Sequence, residues 1–181
     1  IRNFNPLIPG GTARWPTLSG IYEPLFIFNG MTSQYVPWLA TAYQWRDDNR
    51  TLEMMIREGV LWSDGTHFTA ADVVFTFNLL RQHPGLDIRR IWNFLESVEA
   101  DGDALVRFSF SRTYVPGLDS LAGQPIVPRH IWSEIEDPVK FSNPEPVATG
   151  PFTEVLRFDT QVWELGRNPR YWQEGKPAVE A

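Results

Sequence analysis

His130 and Glu134 are the residues whose spacing most resembles chemistry: four apart on a predicted helix, they would face one way and could share a divalent cation. Amphipathic helices carry such pairs on their solvated side as a matter of course. With no second histidine and no metalloprotease pattern beside them, we read the pair as surface groups and expect no metal site. His67 and His83 sit beside turns, where surface or capping roles suffice for them. Asp47 with Asp48, and Asp101 with Asp103, are paired carboxylates of the kind that cleave glycosides, but that reaction needs its two carboxyls across a cleft. Neighbours in a turn are there because an aspartate bonds its own backbone. No serine stands in a glycine-flanked nucleophile elbow, and the chain has no cysteine. Neither the Walker pattern nor the dinucleotide glycine fingerprint occurs, so ATP hydrolysis is not the work of this chain. We therefore expect no catalytic residues and no cofactor.

Binding chemistry remains. The loop Asn5-Pro6-Leu7-Ile8-Pro9-Gly10-Gly11-Thr12-Ala13-Arg14-Trp15 pairs two glycines whose backbone can approach a solute closely and whose amides can bond it. An ordinary flexible connection, with the tryptophan tucked into the core, fits the same residues. Eight tryptophans and twelve phenylalanines supply both core filling and flat surfaces that grip sugar rings or side chains. Acidic residues outnumber basic ones, 22 to 16, for a formal net charge of -6. Such a balance repels phosphate backbones and argues against nucleic acid as a partner. Arg89-Arg90 is the only adjacent basic pair, and it lies among apolar residues. No run of about 18 apolar residues is present to form a membrane-spanning helix. The first residue is Ile1, so a leader or tether ahead of it is compatible with the sequence, and a cysteine-free chain fits either redox compartment.

The elements that must position these groups are short, because fifteen prolines and thirteen glycines punctuate the chain. Thr51 to Arg57 alternates Leu52, Met54 and Ile56 against Glu53, Met55 and Arg57, the pattern of a strand with one face buried. Ser63-Asp64-Gly65-Thr66 reads as a tight turn. Thr69 then caps a helix with Asp72 in its first turn and Val73, Phe77 and Leu80 on its buried face, ended by His83-Pro84. Hairpins are expected over 96–110, turning at Asp101-Gly102-Asp103, and over 152–165, turning through Arg157 to Thr160. Helices are expected from about Thr17 to Phe26 and after Pro128, with Ile131, Trp132 and Ile135 apolar. Strands joined largely by hairpins and mixed with helices indicate an α+β or mixed α/β fold.

The run Met55-Ile56-Arg57-Glu58-Gly59-Val60-Leu61-Trp62-Ser63-Asp64-Gly65-Thr66-His67-Phe68-Thr69-Ala70-Ala71-Asp72-Val73-Val74-Phe75 resembles the signature of the family-5 extracellular solute-binding proteins. Further matches follow in that family's order: Asn5-Pro6, Tyr22-Glu23-Pro24-Leu25, Pro37-Trp38-Leu39-Ala40, Glu96-Ser97-Val98-Glu99, Ile126-Val127-Pro128, and Thr149-Gly150-Pro151-Phe152 through Arg167-Asn168-Pro169-Arg170-Tyr171-Trp172. His67 departs from it, standing where proline is common.

The resemblance implies part of lobe I of a two-lobed, periplasmic-binding-protein-like (type II) fold, the second lobe lying outside this chain. Residues 1–33 and 145–181 would form part of a sheet-bearing subdomain, with 34–144 appended to it. The implied role is the extracytoplasmic subunit of an ABC importer, periplasmic or extracellular and membrane-associated through a lipid anchor or the transporter. It would capture an oligopeptide or oligosaccharide for the transmembrane permease subunits, with ATP bound elsewhere. Gly10, Gly11 and Thr12 would line the ligand cleft, with Arg14, Trp15 and Trp92 as further contacts, whereas Trp62, Asp64 and Gly65 would build the junction of strand, turn and helix. Two other classes compete: a carbohydrate-active enzyme, which needs opposed carboxylates, and an interaction module, which needs a large exposed apolar patch.

Overall fold

The computed structural model describes residues 3–8, 17–159 and 161–180. Its largest sheet is four-stranded, built from β3 (Ala40–Arg46), β4 (Thr51–Ile56), β5 (Leu95–Asp101) and β6 (Leu105–Phe110). The strands run antiparallel in the order β3-β4-β6-β5. Ahead of it stands the hairpin of β1 (Phe26–Asn29) and β2 (Gln34–Pro37), and after it that of β7 (Phe152–Phe158) and β8 (Trp163–Arg167).

Alternation decides which face of the large sheet is covered. Leu52, Met54 and Ile56 of β4 and Val106, Phe108 and Phe110 of β6 are buried. Helix α1 (Ala70–Gln82) lies over β5 and β6 and places Val73, Phe77 and Leu80 in that layer. Phe77 meets Phe108 edge to face at 5.0 Å, a contact that adds about 0.5–1.5 kcal/mol to the area both rings bury. The opposite face is charged: Glu53 accepts from Arg46 at 3.1 Å and from Arg107 at 3.0 Å, and Arg107 reaches Asp101 at 2.6 Å. Exposed pairs of this kind keep a sheet face wet more than they stabilise it.

Helix α1 begins where its sequence says. Thr69 is extended and its hydroxyl accepts from the Ala71 amide at 3.3 Å, while Asp72 Oδ2 accepts from the Thr69 amide at 2.9 Å. This reciprocal box satisfies donors that a helix start otherwise leaves unpaired. The other oxygen of Asp72 accepts from the Arg129 amide at 2.9 Å, so one carboxylate sets the starts of α1 and of a later short helix. Thr76 adds a buried link, its hydroxyl donating to Asp72 O at 2.8 Å and accepting from the Val127 amide at 3.1 Å.

Two expected helices are shorter than their periodicity implies. Between Thr17 and Phe26 only one π-helical turn forms, Thr17–Ile21, closed by the Tyr22 amide on Thr17 O at 2.8 Å. Pro24 has no amide to continue it and holds Glu23 extended; Pro24 instead bridges to Pro125, and Phe26 opens β1. After α2 (Gly117–Ala122), the helix beyond Pro128 is α3, Arg129–Trp132, a single turn that leaves Glu134 and Ile135 outside. The last hairpin also turns later than expected: Arg157 and Phe158 belong to β7, and the reversal is made by Asp159, whose carboxylate accepts from the amides of Gln161 and Val162.

Candidate functional site

Glu23 is the one charged residue in the apolar stretch Ile21-Tyr22-Glu23-Pro24-Leu25-Phe26, and it is 5% exposed. A buried carboxylate needs hydrogen-bond donors, and three distant aromatic residues supply them. Trp38 Nε1 donates at 2.7 Å and Tyr171 Oη at 2.9 Å, both to Oε1, and Trp172 Nε1 donates to Oε2 at 3.0 Å. Burial pushes the Glu23 carboxyl above its ordinary value, and the bonds from Trp172, Tyr171 and Trp38 oppose that rise. Trp38 and Trp172 meet edge to face at 5.4 Å, and the Arg57 guanidinium lies 4.3 Å over the Trp172 ring. Arg57 Nε also donates to Trp38 O at 2.6 Å, tying the end of the signature strand to the same cluster.

This cluster forms one wall of an open groove of about 450 Å³, lined among others by Tyr22, Phe28, Trp38, Pro151 and Tyr171. A smaller cavity of about 130 Å³ shares Leu18, Tyr22, Pro24 and Gly123 with it and extends it toward Leu86, Arg89 and Gln124. Backbone packing fixes the floor. Gly150 donates to Ile21 O at 2.9 Å, and a Cβ at that glycine would stand 2.3 Å from the same oxygen, so only glycine lets the two segments meet. Tyr22 is held from below by the Asn143 amide, which donates to its hydroxyl at 2.7 Å, and burial raises the phenol's pKa.

The loop residues Gly10, Gly11, Thr12, Arg14 and Trp15 lie outside the described residues. Its two stems are described: Pro6 and Leu7 on one side and Leu18 on the other line the smaller cavity, so the chain leaves and returns beside the groove. Asn5 anchors the first stem, donating to Pro138 O at 2.9 Å and Phe141 O at 2.8 Å. Trp92 is described and stands apart from both cavities. Its indole N–H donates to Phe77 O at 2.7 Å, and the Arg81 guanidinium lies 4.8 Å from its ring.

The signature turn organises a different place. Gly65 takes φ of +95° and Asp64 Oδ1 accepts from the Thr66 amide at 3.0 Å, which closes the turn. Trp62 is fully buried against Phe68 at 5.7 Å. Arg170 Nη1 donates to Ser63 O at 2.9 Å, the Ser63 amide to Ala148 O at 2.9 Å, and Asp64 Oδ2 pairs with His130 Nε2 at 2.7 Å. Burial pushes the Asp64 carboxyl up, but the bonds from Thr66 and His130 outweigh it and leave the pKa lowered. His130 is thus occupied by Asp64, and among the described residues no group of three or more His, Asp or Glu side chains is placed to hold a metal ion.

Sequence reasoning quoted Glu23, Trp38, Tyr171 and Trp172 only as matches to a family and assigned them no site. A lone carboxylate within six otherwise uncharged residues was the available signal, since burial of that segment obliges the carboxylate to find donors.

Comparison with solved structures places this fold among the periplasmic binding proteins. A mannohexaose-bound periplasmic oligopeptide-binding protein of an oligopeptide ABC transporter from Thermotoga maritima superposes with a TM-score of 0.83 at 31% identity, over 94% of this chain and 32% of that one. The family model described as bacterial extracellular solute-binding proteins, family 5, middle, matches residues 34–181, and the chain belongs to that family. The family consists of transport components rather than enzymes, and its extracellular character implies a periplasmic or extracellular location. Protein XP55 of Streptomyces lividans is 33% identical over 163 residues, 86% of this chain and 29% of its own length. The oligopeptide-binding protein AppA of Bacillus subtilis is 30% identical over 152 residues, 78% of this chain and 27% of AppA. Its nonapeptide complex shares the fold, with a TM-score of 0.78 at 24% identity over 93% of this chain and 34% of that one. The chain spans about a third of the length of the relatives it matches.

Proposed function

We propose that this chain forms the solute-facing part of the first lobe of an ABC importer's substrate-binding subunit, which captures oligopeptides or oligosaccharides and delivers them to the transmembrane permease subunits. The observation that carries the reading is the groove itself, an aromatic-walled depression around a carboxylate held by Trp38, Tyr171 and Trp172, in a chain of family 5. Aromatic faces suit pyranose rings and apolar side chains alike, and the buried Glu23 carboxylate holds three of those aromatic side chains in place. A solved relative holds mannohexaose and another a nonapeptide, so both solute classes enter the proposal.

In this reading residues 1–33 and 145–181 form the sheet-bearing subdomain and 34–144 its appendage, the boundary falling at the turn between β1 and β2. Gly10, Gly11 and Thr12 face the solute from the loop whose stems border the groove, with Arg14, Trp15 and Trp92 as outlying contacts. A second lobe closes over the solute by hinge motion, contacts from both lobes favour the closed state, and that state docks on the permease. A lipid anchor or the transporter itself keeps the protein at the membrane.

The test is a thermal-shift screen of the full-length mature protein against peptides and oligosaccharides. A solute at about 100 times its dissociation constant stabilises by about 2.7 kcal/mol, and a shift names the transported class. If neither library moves the melting point of protein that is folded and free of co-purified ligand, the proposal fails.

A further inference from the structure

We infer that Phe28 is a specificity-determining residue of the groove, a platform on which an uncharged, flat apolar group of the solute lies. This rests on the solute-binding reading and adds which chemistry one wall of the groove selects.

Three observations meet at the hairpin of β1 and β2. The first is its composition. No charged residue stands between Glu23 and Arg46, a run of 22 positions in a chain of which 21% is charged. A hairpin at the surface commonly carries charge on its outward positions. Here Ile27, Phe28, Met31 and Val36 are exposed instead, Phe28 to 54%. The second is place: Ile27 and Phe28 line the groove together with Tyr22, Trp38 and Tyr171. The third is the brace beside the ring. Phe28 and Tyr35 are register partners across the hairpin, with centroids 5.2 Å apart and planes inclined by 56°. The Tyr35 hydroxyl donates to the Asp119 carboxylate of α2. Burial and that carboxylate push the Tyr35 phenol up to about 12, so it remains a donor throughout the neutral range. A two-stranded hairpin is marginal by itself, and this bond pins it to α2.

A ring held in one orientation before the solute arrives loses little freedom on binding. The wall also selects by charge. Among the described residues lining the groove Glu23 is the one charged group, and Trp38, Tyr171 and Trp172 occupy both its oxygens. A charged group laid here would give up water without finding a partner. The C–H face of a pyranose and the ring of an aromatic peptide side chain, by contrast, both match an exposed phenyl ring. A purely structural role, in which Phe28 only packs on Tyr35 to steady the hairpin, competes with this one. Loss of packing lowers stability and weakens every solute alike, whereas loss of the platform weakens only solutes that carry a flat apolar group.

The experiment is calorimetric titration of the full-length protein with Ala-Phe-Ala, trialanine, Ala-Glu-Ala and mannohexaose. The expected result is a preference of about tenfold for Ala-Phe-Ala over the other two peptides, equivalent to about 1.4 kcal/mol, or binding of mannohexaose. The arm that responds tells a peptide side chain from a sugar ring. Phe28→Leu keeps the apolar bulk without the flat ring: it should bring Ala-Phe-Ala level with trialanine and, in the sugar arm, lower affinity for mannohexaose about tenfold. Phe28→Tyr should keep the preference, and Tyr35→Phe, which frees the brace from Asp119, should reduce it. Melting curves of each variant report any loss of hairpin packing separately. In whichever arm binds, equal affinity for the three peptides, a preference that survives Phe28→Leu, a loss shared by every peptide, or mannohexaose affinity indifferent to the change overturns the platform and leaves the solute-binding reading standing. Failure of every probe to bind overturns both.

Discussion

Asp64 Oδ2 lies 2.7 Å from His130 Nε2, joining the signature turn to helix α3 across 66 residues of sequence. Asp64→Asn keeps the turn, because the side-chain oxygen still accepts from the Thr66 amide, and removes the charge that holds His130. The expected loss is about 1 kcal/mol near neutral pH, the size of one partly exposed charge-assisted bond. The Asp64 pKa is lowered in the folded protein, so its contribution is present above its ordinary value of 3.8 and is lost as the pH falls through the lower folded value. Urea unfolding of wild type and variant should therefore converge in acid. A difference that persists unchanged there contradicts the assignment.

Glu23 makes the opposite prediction. Its pKa is raised by burial, so its stabilising contribution is greatest below its ordinary value of 4.5 and declines as the pH rises through the raised folded value. Glu23→Gln leaves one oxygen to accept but turns an amide N–H₂ toward a donor, and the unpaired group costs about 1–3 kcal/mol. The deficit of the variant should therefore narrow as the pH rises above 4.5. A gap in unfolding midpoints that widens over that range would show the pKa shift to have the other sign.

At Gly150 the prediction is steric. Gly150→Ala would drive a Cβ to 2.3 Å from Ile21 O and 2.5 Å from Gly20 O, both backbone atoms, and should lose at least about 2 kcal/mol. Gly85→Ala is the control: nothing lies within 4 Å of its Cβ, and the change should stay within about 0.5 kcal/mol. Equal melting temperatures for the two variants would show that the floor of the groove yields.

Thr69→Ala removes the hydroxyl that accepts from Ala71 at the start of α1 and should cost about 1 kcal/mol. Thr69→Ser should recover most of it. Asp72→Asn should cost more than Thr69→Ala, because the same carboxylate also receives the Arg129 amide that starts α3. Chemical denaturation of the three variants gives the ranking, and the reverse order would remove Asp72 from its bridging role.

Residues 1–181 alone should bind solute far more weakly than the full-length protein, since one wall supplies only part of the contacts and excludes little water. Calorimetry on this piece with a solute found in the thermal screen checks it, and submicromolar affinity would refute it.

What the sequence by itself determined is local. The alternation over 51–57 made β4, Thr69 with Asp72 made the capping box, Gly65 and Gly102 took the positive φ that their turns require, and the aromatic signature run marked the family before any fold was known. Each of these follows from residues within a few positions of one another, where backbone propensity and side-chain period act directly. Tertiary structure alone decided the rest. Pro24 ended the turn that begins at Thr17, but where the chain then went was tertiary: Pro24 bridges to Pro125 and Gly150 engages Ile21, contacts that span about a hundred residues or more. Glu23 found its donors only when Trp38, Tyr171 and Trp172 met around it. A buried charge must be paired wherever it lies, but the chain supplies its partners from distant segments, and no local pattern says which ones they will be.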